Sequence, residues 1–208
     1  MTEKQRNIII TSVYSSPCGE LVLGSTGESL CLCDWLDSPH RQTVANRLNR
    51  ILGVDITEGT SPVIESAARQ LDEYFGGVRN SFDMPLNLAG TPFQKSVWQA
   101  LLAIPYGSTP TYAEIARIIG HKKAVRAVAS AIGANALSIL VPCHRVVGAD
   151  GTLTGYAGGL DAKRYLLRLE NAVSTIGFSQ SSDPDAPDFP LRRSIFCSLT
   201  VFLLSFRL

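Results

Sequence analysis

The sequence predicts an α+β fold: an N-terminal α+β part with a small antiparallel sheet, followed by a mostly helical C-terminal part. Three observations predict it. The first third holds short strand-like runs separated by turn signals, the middle holds apolar residues at helical spacing, and the segment SFDMPLNLAG (81–90) separates the two patterns. With 208 residues and 45% hydrophobic content, the chain can bury one large core or two small ones. The expected division is an α+β domain over 1–88, a helical domain over 89–172, and a linker-like, apolar tail over 173–208.

The elements follow in order. NIIITSVYSS, then GELVLGST after the turn PCG, then ESLCLCDW after a glycine, read as an antiparallel meander. Residues 40–52 and 62–75 place Val44, Leu48, Ile51 and Leu52, and then Val63, Ala67, Leu71, Tyr74 and Phe75, at helical spacing, with Gly76 and Gly77 closing the second helix. Thr91 is a cap and Pro92 a first-turn residue for a helix whose stripe is Phe93, Val97, Trp98, Leu101 and Leu102; Pro105 and Gly107 end it. Thr111 and Glu114 form a capping box that opens AEIARII, which stops at Gly120, and KAVRAVASAI follows. Two short helices joined through a glycine suit a helix-turn-helix and an ordinary helical hairpin equally. SILV (138–141) is expected to be a short strand ending in a turn made rigid by Pro142.

Composition narrows the function classes. The N-terminus MTEKQRN is polar with both charge signs, and no apolar run is long enough to span a bilayer, so the expected location is the cytoplasm, or the nucleus in a eukaryote. Five cysteines, an odd number, argue for reduced thiols rather than a disulfide framework. Residues 1–90 carry 7 Lys and Arg against 11 Asp and Glu, whereas 91–172 carry 9 against 4, which points the middle segment toward a polyanionic partner.

The stretch LVPCHRVVGADG (140–151) sets a thiol beside an imidazole. A metal site needs more ligands than it offers: near Cys143 there is only His144, and Cys18, Cys31 and Cys33 have only His40, so no metal is expected. Cys31 and Cys33 alternate on a strand and should face one side together as packing residues. Cys143 reads either as a buried structural cysteine or as a nucleophile, the second favoured by the adjacent His144 and Arg145 and by the stiff approach through Pro142. Neighbouring residues on an extended chain point to opposite faces, so contact between Cys143 and His144 needs a tight turn or a water. Asp150, Asp161 and Glu170 could each orient the imidazole, and spacing does not choose among them.

The run from about Thr91 to Asn171, with PCHRV at 142–146, GYAGG at 155–159, YAEIA at 112–116 and Asn135 eight positions before the cysteine, closely resembles the O6-alkylguanine-DNA alkyltransferases. SSPCGELVLG and EYFGG resemble that family's ribonuclease-H-like N-terminal domain. The resemblance implies that Cys143 accepts an alkyl group from O6 of guanine, or O4 of thymine, in one irreversible step without a cofactor. It maps a glutamate, histidine, water and cysteine relay onto Glu170, His144 and Cys143, and the asparagine that ties the DNA helix to the active-site turn onto Asn135. It makes Arg126 the side chain that fills the place of a flipped nucleotide and bonds the orphaned base, and Tyr112 the one that pushes the 3′ phosphate and also donates toward the base. Ala127, Ser130 and Gly133, with Ala129 and Ala131, would allow close approach of the second helix to the minor groove of double-stranded DNA. Val141, Tyr156, Ala157 and Gly158 would line the substrate pocket. A monomer is implied.

Two departures stand out. Ala136 replaces a proline found in many relatives, and Ala157 replaces a pocket serine found in some. SQSSDPDAPDFPLRR and the largely apolar 13-residue run SIFCSLTVFLLSF match nothing in the family and are expected to be irrelevant to catalysis; the apolar run is too short to span a membrane. A lesion-sensing binder without chemistry, or a helix-turn-helix regulator, is the alternative, and Cys143 speaks against both.

Overall fold

The structure is a computed structural model and describes residues 7–170. Asn171, Cys197 and the whole of the tail considered above lie outside the described residues. Strands β1 (Asn7–Ser16), β2 (Gly19–Ser25) and β3 (Leu30–Trp35) form the expected meander, with β1 antiparallel to β2 from Ile10↔Ser25 to Ser16↔Gly19 and β2 antiparallel to β3. Helix α1 (Arg41–Leu52) then returns the chain so that β4 (Val54–Glu58) pairs parallel with β1, giving the order β3-β2-β1-β4. The sheet is therefore mixed rather than purely antiparallel. Five residues are too few for period-2 alternation to stand out between two helices, and the parallel partner is supplied by a strand far back in the chain.

A second departure lies in β3. Gly24 pairs with Leu32 and Ser25 with Leu30, so Cys31 is the extra residue of a bulge. The bulge inverts the expected alternation: Cys33 joins the core under α2 (Pro62–Phe75), whereas Cys31 packs with Ile9, Val44 and Leu48 under α1. Both thiols are buried, but they do not share a face. Burial pushes the Cys31 thiol up to about 12, which suits packing rather than reactivity.

Capping sets the remaining helices. Ser61 accepts from the Ile64 N–H with Pro62 in the first turn of α2. Thr91 and Gln94 form a reciprocal capping box for α3 (Pro92–Leu102), and Thr111 and Glu114 one for α4 (Tyr112–Ile118). Gly120, at φ 78°, ends α4 and leads to α5 (Val125–Gly133). Trp98 of α3 is buried and donates its indole N–H to the Ala131 carbonyl of α5 at 2.8 Å, locking the two helices together. Helix α6 (Gly159–Leu169), which the sequence reading did not pick out, is the last element among the described residues and buries Ala162, Lys163, Leu166 and Leu167.

One apolar cluster runs from Tyr14 through Leu71, Val97, Ile115 and Val128 to Leu166. The outer edge of β3 is covered twice: the Leu30 N–H donates to Pro85 of the 81–90 segment, and Cys33 exchanges hydrogen bonds with the 136–138 turn, donating to the Ala136 carbonyl (2.8 Å) and accepting from the Ser138 N–H (2.7 Å). An edge strand that would otherwise expose unpaired backbone groups thus becomes the support for the turn that carries Cys143.

Candidate active site

Residues 137–141 are a succession of tight turns, not the expected strand. The Leu140 N–H donates to the Ser138 carbonyl around Ile139, whose φ is 70°, and the Cys143 N–H donates to the Val141 carbonyl around Pro142. A β-branched residue at positive φ costs about 1–3 kcal/mol and persists only where its surroundings impose it. Here they are the β3 edge and Asn135, whose Oδ1 accepts from the Leu137 N–H at 3.0 Å. Ile139 is why SILV cannot continue as a strand.

A single 3-10 turn, Cys143–Arg145, follows and separates the neighbouring thiol and imidazole. Cys143 is 6% exposed. Asn135 Nδ2 reaches both the Val141 carbonyl (2.9 Å) and the Cys143 sulfur (3.2 Å), so one amide ties the end of α5 to the thiol. Burial raises the thiol's pKa; the Asn135 hydrogen bond and the Lys163 charge oppose that rise. The cation that opposes the rise is Lys163, while the adjacent Arg145 is engaged with Glu170 and the Ile104 carbonyl. Lys163 is fully buried, donates to the Val146 (2.7 Å) and Thr154 (3.0 Å) carbonyls, and is lowered to about 8 by desolvation. Its place among the apolar positions 162, 166 and 167 of α6 was the sequence signal for it.

Glu170 is the carboxylate that faces His144. Its Oε1 lies 2.9 Å from His144 Nε2 and accepts from the Tyr74 hydroxyl (2.7 Å) and Arg145 (3.0 Å); its Oε2 accepts from Arg145 Nε (2.8 Å) and the Gly107 N–H (3.2 Å). Burial alone would raise this carboxyl, but the His144 and Arg145 contacts outweigh it and hold it well below the usual carboxylate range. Gly107 is required by geometry: its φ is 76°, and a Cβ there would sit 2.9 Å from the Glu170 carbonyl. Asp150 instead accepts from the Thr152 N–H and hydroxyl, and Asp161 pairs with Arg164.

With Glu170 ionised, His144 Nε2 carries the proton and donates it, which leaves Nδ1 as a base; Nδ1 has no hydrogen-bond partner among the described residues. Burial, the largest influence, lowers the His144 pKa, so the ring is neutral near pH 7. A buried imidazole whose folded pKa is lowered stabilises the fold fully above its unfolded value of about 6.5 and loses that contribution as pH falls. The stability difference between the wild type and His144→Asn, measured by thermal unfolding, is therefore expected to be constant above about pH 7 and to shift against the wild type below about pH 6.5.

The other expected site residues fall into two groups. Arg126, Ala127, Ser130 and Gly133 are all exposed on one face of α5, opposite the buried Val128, Ala131 and Ile132. Lys122 and Lys123 are exposed just before that helix. Tyr112, at the start of α4, accepts from Thr154 Oγ1 at 3.0 Å, which links it to the loop carrying Tyr156, Ala157 and Gly158. The Tyr156 ring meets His144 edge-on, with centroids 6.4 Å apart. Val141 is buried, and its carbonyl already accepts from Asn135 and Cys143.

The fold and site define a protein with a buried cysteine held by an asparagine, a neighbouring neutral imidazole held on a carboxylate, and a helix that exposes Arg126 with Lys122 and Lys123 just before it. The chain belongs to the 6-O-methylguanine DNA methyltransferase family: that family's DNA-binding-domain model matches residues 92–172 and its ribonuclease-like-domain model residues 9–88. A methylated-DNA–protein-cysteine methyltransferase of Methanosarcina acetivorans is 44% identical over 161 residues, spanning 77% of this chain and 97% of that protein. The constitutive enzyme of that name from Bacillus subtilis is 42% identical, over 74% of this chain and 91% of its own length. The crystal structure of Mycobacterium tuberculosis OGT in complex with DNA superposes with a TM-score of 0.66 at 42% identity, covering 79% of this chain and 93% of that one.

Proposed function

We propose that this protein is a methylated-DNA–protein-cysteine S-methyltransferase that repairs alkylated DNA by moving the alkyl group from O6 of guanine onto Cys143. The observation that carries the reading is the 2.9 Å contact between His144 Nε2 and Glu170, which leaves a free imidazole base beside a sulfur held by Asn135. The thiol proton passes through a water to His144 Nδ1, the sulfur attacks the alkyl carbon, the carbon–O6 bond breaks with its electrons going to the departing guanine, and the Tyr112 hydroxyl donates the proton that neutralises that base. Nothing restores the thiol from the thioether, so each molecule reacts once.

A stacked base cannot reach a sulfur that is 6% exposed, so the nucleotide is flipped out of the duplex. The exposed face of α5 approaches the minor groove, where Ala127, Ser130 and Gly133 keep the contact close and Arg126 takes the vacated position. Tyr112 presses on the phosphate backbone, and Tyr156, Ala157 and Gly158 form the pocket with Val141. Residues 89–172 carry these parts, braced by 1–88. The protein works as a monomer in the compartment that holds the DNA. Among the described residues, no helix is long and apolar enough to cross a membrane.

Intact-protein mass spectrometry after incubation with a duplex holding one O6-methylguanine tests the reading. A gain of about 14 Da mapping to Cys143, with matching loss from the DNA, is expected. An unmodified protein that still binds the duplex would make it a lesion-sensing binder. Arg126→Ala is expected to slow repair in duplex DNA by about tenfold to a hundredfold, the loss of roughly 1–3 kcal/mol of flipping energy, while reaction with free O6-benzylguanine changes less than about twofold. Single-turnover kinetics on the two substrates check it.

A further inference from the structure

Gly158 has φ −86° and ψ 9°, a conformation open to any residue, so backbone geometry does not explain a glycine there. Contact does. A Cβ on Gly158 would overlap the six-membered and five-membered rings of Trp35 and lie 2.7 Å from its Nε1. Trp35 ends β3, is only 3% exposed, and sits opposite Leu21 with Gly19 against its ring edge. Its indole meets the Tyr156 ring edge-on at 5.9 Å, and Tyr156 meets His144 the same way at 6.4 Å. A residue of the N-terminal sheet thus abuts two of the residues read above as pocket wall, and reaches the relay histidine through one of them.

We propose that Trp35 determines the size of alkyl group this protein accepts: its indole fills the space behind Gly158 and holds Tyr156 against His144. The proposal rests on the pocket reading under Proposed function. A rigid, buried ring pressed on a Cβ-less residue cannot yield to a bulky group, because interiors are packed without slack and a shift of Trp35 would disturb the Leu21 pairing. A smaller side chain at 35 removes that backing.

The test measures second-order rate constants for Cys143 alkylation by O6-methylguanine in duplex DNA and by O6-benzylguanine as the free base. It uses the full chain as wild type, Trp35→Phe, Trp35→Leu, Gly158→Ala and the Trp35→Leu, Gly158→Ala pair. Trp35→Leu is expected to raise the benzyl-to-methyl rate ratio by about tenfold, the scale on which apolar pockets discriminate by size. Trp35→Phe, which keeps a ring in place, moves the ratio in the same direction by less. Gly158→Ala slows both reactions, and the paired variant recovers methyl transfer because the added Cβ occupies the vacated space. Equal loss on both substrates in Trp35→Leu and Trp35→Phe, or strictly additive effects in the pair, would overturn the proposal. A wild type that reacts with neither substrate would overturn the functional reading instead.

Discussion

Replacing Cys143 with alanine is expected to reduce methyl transfer by at least about a thousandfold while duplex binding stays within about twofold of the wild type. The reasons are local. The sulfur is the only atom lost, and it is the atom that forms the new bond. Asn135 Nδ2 keeps its 2.9 Å hydrogen bond to the Val141 carbonyl, and Leu137 keeps its bond to Asn135 Oδ1, so the turn that presents position 143 retains its ties. The fold loses a small volume and one weak hydrogen bond, about 1–2 kcal/mol, a modest part of a domain's stability. The exposed α5 side chains proposed above to meet DNA, Arg126, Ala127, Ser130 and Gly133, lie on a separate surface. Single-turnover transfer assays beside fluorescence-anisotropy binding measure both quantities, and residual transfer by the alanine variant would refute Cys143 as acceptor.

Glu170→Gln is expected to lower unfolding free energy by about 3–5 kcal/mol and to slow methyl transfer by about a hundredfold or more. Glu170 accepts from His144, Arg145, Tyr74 and Gly107, and nearly all of it is buried. Glutamine keeps the shape but removes the charge, which leaves the buried Arg145 guanidinium without a counter-charge, held by the Ile104 carbonyl at 2.7 Å and the Tyr106 ring face. It also turns an NH2 toward groups that donate. His144 then loses the acceptor that fixes its proton on Nε2, so Nδ1 is no longer reliably the base. Urea unfolding gives the first quantity and single-turnover kinetics the second. Transfer at the wild-type rate in a folded but weakened variant would restrict Glu170 to a structural role.

The features legible in the sequence are those closed within a few residues. Thr91 with Gln94 and Thr111 with Glu114 cap their helices because donor and acceptor lie three positions apart. The family resemblance placed Arg126, Ala127, Ser130 and Gly133 on one face, and they are exposed, but Ala131, expected beside them, is buried with Val128 and Ile132 on the core side of the helix. What escaped depended on distant partners. Cys31 and Cys33 alternate in sequence, yet a bulge set by the β2 register puts them in different cores. SILV reads as a strand by composition, yet Asn135 and the β3 edge bend it into turns around Ile139. Tyr74 meets Glu170 across 96 positions, a separation no local pattern reports.

By itself, the sequence determined the α+β class, the helix pair, and the cysteine and histidine at 143 and 144, because propensity, capping and periodicity act over single turns of chain. Spacing left Asp150, Asp161 and Glu170 open and the family resemblance pointed to Glu170; the tertiary structure seats Glu170 against His144, and it alone decided which buried cation offsets the burial of the sulfur and which side chain backs Gly158. Glu170, Lys163 and Trp35 reach those positions through α6 and β3, and the energy that holds them there comes from desolvated contacts that exist only once distant segments have closed on one another.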